Sequence, residues 1–395
     1  MSFNIALSGI NAINTELNTI SHNIANAGTF GFKSSRANFA SMYAGTQPTG
    51  TQVSSLTQSI EIGGGVLTTG RGMDASIQGR GFFVTRDTTG AEVYTRVGIF
   101  DTDRDGYVVD SFGRRVQGYA AVPGTTTLGA LGDMQVATGQ IPAQASTTLN
   151  YVGNLSADWT VPTVVPFDNT DPQSFNGSLV SVVYDSLGVQ HSVTQYFVKS
   201  ATNQVTVHYT FDGVLQPTTT VMDFDVNGQL TAPVGVVPLA LGTPPGAAPL
   251  TVNVNYAGTT QTAGEATTST NSANGYASGT FLGVQLSADG SVLAQYSNGL
   301  KQSIGTIAIA TFPAEQQLIQ VSDTAWTTST ESGVPLYSTP GSGMAGQITP
   351  GSLEQSNVDM TSQLVNLMSA QRNYQANTKV ISTQNDMMQT LMQAV

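Results

Sequence analysis

The chain contains no cysteine. That absence excludes disulfides, thiolate nucleophiles and cysteine-ligated zinc together, and it suits a protein working outside the cell without an oxidative folding step. Charge is scarce as well. Asp, Glu, Lys and Arg make up 10% of 395 residues, against about 25% in ordinary globular chains. Nine arginines and four lysines are scattered rather than clustered and the net charge is −12, so the basic footprint that phosphate backbones or anionic lipids require is missing. Nucleic acid and membrane partners are set aside on that ground. No apolar run is long enough for a transmembrane helix. The opening "MSFNIALSGINAINTELN" has no basic n-region, continuous h-region or cleavage site, so any export is expected to use the intact, uncleaved chain.

What is present is periodicity. Phe3, Ala6, Ile10, Ile13, Leu17, Ile20 and Ile24 alternate spacings of three and four, which predicts a helix with one apolar seam of coiled-coil type. Near the other end Leu353, Met360, Leu367, Tyr374, Ile381 and Met388 recur at sevens, with Leu364 and Met392 on the adjoining row. No proline follows Pro350, and Ser352 to Gln355 or Ser356 to Asp359 offer capping boxes, so a helix of about 35 to 40 residues, roughly 55 Å long, is expected there. Neither helix is expected to be stable alone. Ordering the residues costs more backbone entropy than burial of one seam returns, so the ends are expected to be mobile in a monomer and ordered in a polymer, where the near absence of charge lets every face touch a neighbour without burying an unpaired ion.

Between the helices the texture is that of strands. "DASIQGRGFFVT", "AEVYTRVGIF" and "GYVVDSFGRRVQGY" are short β-rich runs split by Gly and Asp turns, and the same pattern returns in "GTFLGVQLSADGSVLAQYSNG" and "QSIGTIAIATFP". They read as two halves of one β domain. The segment between them has strands of its own, is bounded by the loop-like stretches "PGTTTLGALG" and "AGTTQTAGEATTSTNSANG", and carries eight acids against one lysine, seven of the 12 net negative charges. The expected fold is multidomain α+β. Residues 1–27 and 356–395 form a terminal helical domain paired as a coiled coil, 28–70 and 347–355 a connecting segment, 71–148 and 278–346 an inner β domain, and 149–277 an inserted outer β domain.

At "SHNIANAGTFGFKSSRANF", "GFFVTRDTTGAEVYTRVGIFDTDRDGYVVDSFGRRVQGY" and "GSLEQSNVDMTSQLVNLMSAQRNYQANTKVISTQNDMMQTLMQ" the chain resembles the bacterial flagellar axial proteins of the rod and hook family. Its length and insert are similar to the longer members rather than the shorter distal rod members. The resemblance implies a self-assembling helical tube in which paired terminal helices line an export channel and β domains form outer shells, and for the hook a flexible curved universal joint. It also implies export through the flagellar type III apparatus without signal cleavage, an extracellular place in the flagellum, and contacts with the distal rod protein, hook cap protein and hook–filament junction protein. In that setting the stretch after the first helix is expected to form an intersubunit elbow. Asn26 and Gly28 would take the left-handed conformation that ends a helix, and Gly31 would permit the next turn. Phe30, Phe32 and Phe39 would be apolar anchors lying across neighbouring subunits. Lys33 and Arg36 would either pair with acids on a neighbour or stay solvated.

Enzymatic chemistry finds no support in the residues. Asp101, Asp103, Asp105 and Gly106 imitate the opening of a calcium loop, but Phe112 holds the position of its bidentate Glu, so a hairpin turn is expected. In "GTFGFKSS" Phe32 stands where a phosphate-binding loop needs Gly before Lys33. His22, His191 and His208 lie in no metalloprotease or hydrolase motif, and Met387, Met388 and Met392 read as packing residues. Neither cofactor nor metal is expected. The alternative classes are a different axial protein of the same family and a secreted module whose insert binds a ligand.

Overall fold

The computed structural model describes residues 2–122 and 127–394. Met1, Val395 and residues 123–126, the start of the loop expected ahead of the insert, lie outside them. Among the described residues two α-helices, α1 (Ser2–Ala25) and α2 (Met360–Ala394), flank a chain that is otherwise almost entirely strand and turn. Two compact units result. The first comprises residues 1–138, 283–295 and 301–395; the second comprises 139–282 and 296–300.

In the first unit α1 is followed by a long antiparallel hairpin, β1 (Ser35–Ala44) and β2 (Gln47–Gln58), whose ladder runs from Ser35 opposite Gln58 to Ala44 opposite Gln47. The sequence reading made this a connecting segment. Its Ser, Thr and Gln side chains give no apolar alternation, because most of the hairpin is exposed or half-buried. The ladder is visible only in the backbone bonds. Beyond it lies an antiparallel sheet whose neighbours are, in order, 301–307, 115–121, 82–86, 92–95, 325–327 and 319–321. Strands from before and after the second unit thus interleave. Two further pairings, 75–78 with 347–350 and 66–68 with 352–354, bring the C-terminal approach to α2 back against the N-terminal third of the chain. The core is aromatic: Phe82 lies 5.3 Å from Trp326, and Tyr94 meets Phe312 edge-on at 4.8 Å, all four buried.

A recurring D-x-x-G turn makes these hairpins. The Asp103 carboxylate accepts from the backbone N–H groups of Asp105 and Tyr107, and Gly106 takes a left-handed φ of 82°. The same pattern holds at Asp110, Asp185 and Asp225. The calcium-like stretch is therefore a hairpin turn between strands 100–102 and 108–110, with Asp101 and Asp103 accepting from backbone amides.

The second unit holds two five-stranded sheets. One runs antiparallel through 177–184, 190–201, 204–211, 214–224 and 230–232; the other is ordered 236–242, 250–255, 148–156 and 260–262, with 267–273 paired to 148–156. Both contribute to one core, in which Val193, Val207 and Tyr209 meet Leu239, Val252 and Tyr256. A buried chain of hydrogen bonds crosses between the sheets. The Tyr209 and Tyr256 hydroxyls are 2.8 Å apart, Tyr256 donates to Gln195, and Gln195 donates to Ser181. At the start of strand 190–201 His191 bridges Asp212, at 2.7 Å, and Asp185, at 3.4 Å.

Candidate assembly interface

The spacing of α1 produces its packing directly. Ala6, Ile13 and Ile20 are buried, and Ile13 and Ile20 form a cluster with Ala370 of α2, against which Leu17, Ile24, Leu367 and Tyr374 lie half-buried. Asn23 donates to the Gln363 side chain and Gly9 abuts Asn377, so the helices run in opposite directions. Ile10 and Ile381 are half-buried, while Phe3, Met360, Leu364, Met388 and Met392 are exposed. Sequence reading missed Ala370. Its small side chain carries little hydrophobic signal, although it falls three residues after Leu367 and four before Tyr374, on the same stripe.

Two expectations about α2 are corrected. Asp359 is its cap, accepting from the Thr361 N–H and the Ser362 hydroxyl, rather than Ser352 or Ser356. Leu353 is not on the helical seam. It is buried in strand 352–354 opposite Leu67, because Gly351 at φ 66° and the ladder to 66–68 hold this stretch extended.

The segment after α1 also differs from the expected elbow. Helix α1 ends with Asn26 hydrogen-bonded back to His22. Of the expected left-handed positions only Gly31 has positive φ, at 68°. A Cβ on Gly31 would lie 3.0 Å from the Arg96 backbone, whereas one on Gly28 would meet nothing within 4 Å. Phe32 is buried with its ring against His22, so it anchors its own chain. Phe30 is half-buried, and Phe39 is exposed on β1.

Lys33 overturns both of its expected placements. It is 1% exposed and donates to Glu354 at 2.6 Å and to the Ile62 carbonyl at 2.8 Å. The other oxygen of Glu354 accepts from Arg96 at 3.3 Å, and Arg96 also donates to the Gly79 carbonyl. One carboxylate therefore serves two buried cations. Burial pulls the Lys33 ammonium and the Arg96 guanidinium below their usual values, with Glu354 opposing in each case. Buried Glu315, 3.1 Å from Arg80, adds further negative potential. Around this centre Asn357 accepts from the Ser34 N–H and donates to the Ser59 and Ile62 carbonyls, and Asn23 both donates to and accepts from Ser35. Arg36 stays exposed, bonded to Asn38. The sequence signal for Glu354 was its isolation as one acid in an uncharged stretch, which reads equally well as a helix cap.

A groove of about 600 Å³ opens between α1, α2 and the β1–β2 hairpin, lined by Ile5, Ala12, Ile13, Phe39 and Pro48 with Glu16 at its lip. The half-buried Glu16 carboxyl is pushed upward by burial.

Comparison with known proteins covers nearly the whole chain. Residues 3–33 match the flagella basal body rod protein family, 76–150 the flagellar hook protein FlgE/F/G D1 domain, 154–276 the flagellar basal body protein FlaE D2 domain, and 349–394 the flagellar basal body rod FlgEFG protein C-terminal family. The flagellar hook protein FlgE of Salmonella typhimurium is 38% identical over 99% of both chains. That of Escherichia coli is 36% identical over 99% of both, and that of Treponema pallidum 30% identical over 98% of this chain and 97% of its own. The crystal structure of Helicobacter pylori flagellar hook protein FlgE2 shares the fold, with a TM-score of 0.52 at 13% identity over 73% of this chain and 100% of that one. With two sparsely charged terminal helices, a sheet built of strands from before and after the second unit, and relatives matched from end to end, the chain belongs to the flagellar hook protein family.

Proposed function

We propose that the chain is the repeating subunit of the flagellar hook, a structural protein without catalytic activity that polymerises into a flexible curved tube around an export channel. The observation that carries this is the surface of the terminal helices. Phe3, Ile5 and Leu7 of α1 and Leu364, Val365, Met368, Val380, Met387, Met388, Leu391 and Met392 of α2 are exposed, on two helices whose acidic and basic residues are Glu16, His22, Arg372, Lys379 and Asp386 alone. An apolar surface of that extent is an interaction surface. The two seams pair as a coiled coil facing the channel, with residues 28–70 and 347–355 connecting them to an inner β domain, 71–148 and 278–346, that carries the outer domain 149–277. Phe30 and Phe39 remain for contact across neighbouring subunits. The distal rod protein, hook cap protein and hook–filament junction protein meet the ends of the polymer, and the type III apparatus exports the chain with its N-terminus uncleaved. No described helix is long and apolar enough to cross a membrane.

Electron microscopy of the purified chain, concentrated in stages, tests the reading. Helical tubes are expected. A chain that stays monomeric at every concentration overturns it. Replacing residues 149–277 by a short Gly/Ser linker should still give tubes, with altered curvature or stiffness; soluble monomers with a folded inner β domain would make that segment an assembly determinant instead.

A further inference from the structure

Helix α2 is longer than α1, 35 residues against 24, and the excess lies at one end. Fourteen residues separate the contacts at Gly9 and Asn23, and fourteen separate their partners Asn377 and Gln363. The start of α1 therefore falls level with residue 384, and residues 385–394 run past it. The stripe of α2 that faces α1 does not stop there. From Leu367, Ala370 and Tyr374 it continues at helical spacing through Ile381 to Met388, Leu391 and Met392, the last three 55%, 63% and 74% exposed. Arg372, Lys379 and Asp386 recur at sevens on the opposite face. The tip thus continues an existing helix interface that has lost its cover, with its one charge, Asp386, on the opposite face.

The groove beside α1 has the complementary chemistry. Its walls are mostly apolar, with Thr51, Asn373 and Asn377 as the uncharged polar members, and its one charged lining residue, Glu16, has no ion pair among the described residues. A chain cannot fill its own groove. Asn373 and Asn377 of α2 form part of the groove wall, and Met388 lies further along the same helix by roughly 17 to 23 Å at about 1.5 Å per residue. Resting on the reading of the chain as a self-assembling subunit, we infer that the methionine-bearing tip of α2 in one copy seats in the groove between α1 and the β1–β2 hairpin of a second copy. Tip and groove are different surfaces of one chain, so the contact is head-to-tail and propagates without limit unless a rotation closes it. Asp386 points away from the groove and so does not meet Glu16.

The absence of natural cysteine makes the test direct. Phe39→Cys with Met388→Cys, and separately Ile5→Cys with Met392→Cys, place thiols at exposed positions of groove and tip. A disulfide needs Cα atoms within about 7 Å, out of reach inside one chain. Oxidised polymers of either pair should give a ladder of covalent dimers, trimers and longer species on a non-reducing gel, and single variants nothing beyond dimers. Polymers that form normally but yield no ladder overturn the contact while leaving the proposed function standing; a natural chain that never polymerises overturns the proposed function. Where the cysteine variants fail to assemble, a synthetic peptide of residues 380–395 added to the natural chain decides. It should raise the concentration needed for polymerisation by roughly threefold or more through competition for the groove, and a peptide with Met388→Asp and Met392→Asp should not. Equal effects, or none, overturn the inference.

Discussion

Replacing Glu354 by Gln removes the carboxylate that Lys33 and Arg96 share while leaving both cations 3% exposed or less. The amide oxygen of Gln can accept from one of them, and its NH2 then faces the other donor. Removing one partner of a buried ion pair costs about 3 to 5 kcal/mol. Two stranded cations place this substitution at the upper end. For a unit of this size each kcal/mol moves the midpoint by about 2 to 4 °C, so a fall of roughly 6 to 20 °C is expected. Lys33→Met is the instructive comparison. It leaves Glu354 with Arg96, one carboxylate to one cation, and fills the space with an apolar chain of similar length, so the loss should be smaller, about 1 to 2 kcal/mol. Trp326 reports on this unit from its core, bonded to Gln58. Thermal unfolding followed by its fluorescence in a Trp159→Phe background measures both variants. The reasoning is refuted if Glu354→Gln melts within about 1 kcal/mol of the parent, or if Lys33→Met is the more damaging.

Other expectations follow from single contacts. Ile13→Asp or Ile20→Asp, at positions 8% and 5% exposed, should block polymer formation while leaving the β units folded, since the new charge has no partner; normal tubes would count against the seam. Gly31→Ala should cost about 1 to 2 kcal/mol from its left-handed backbone, with an added penalty from the Arg96 contact, whereas Gly28→Ala should fall within about 0.5 kcal/mol of the parent; urea melts of both compare them. In the second unit burial alone would lower His191, but hydrogen bonds to Asp212 and Asp185 outweigh it and raise the imidazole above 6.5, while both carboxylates are held below 3.8. The histidine contribution is then fully present below pH 6.5 and lost as pH rises through the raised value; the carboxylate contribution is present above pH 3.8 and lost as pH falls through the depressed values. The melting point followed by Trp159 should fall as pH rises above 6.5, and His191→Asn should flatten that fall; an unchanged slope would exclude the bridge as its cause.

Much of the architecture was legible because its cause is periodic. The alternating threes and fours of α1 have one physical solution, and the length of α2 followed from an uninterrupted helical composition. The D-x-x-G turns were readable at Asp103 because local backbone chemistry decides them. What escaped was decided at long range. Leu353 fitted the heptad count, yet a ladder to residues far back in the chain took it into a strand. Lys33 looked like a surface charge because its counter-ion stands 321 positions away, and no local pattern links the two. The β1–β2 hairpin was missed for the converse reason: its ladder is backbone-made and its side chains are largely exposed, so burial leaves no mark on the sequence.

The pairing of 66–68 with 352–354 and of 75–78 with 347–350 also sets an order in time. Each closes a loop of about two thirds of the chain or more, at an entropic cost of about 5 kcal/mol by the logarithmic rule, and contacts of such separation form late. A polypeptide that emerges N-terminus first has its first helix, its hairpin and Lys33 in the open long before Glu354 arrives to neutralise the cluster. Until then the first unit has only part of its sheet and α1 has no partner. Closure of the first unit therefore waits for about the last tenth of the chain, whereas the second unit holds all of its strands within residues 139–300 and can close before it.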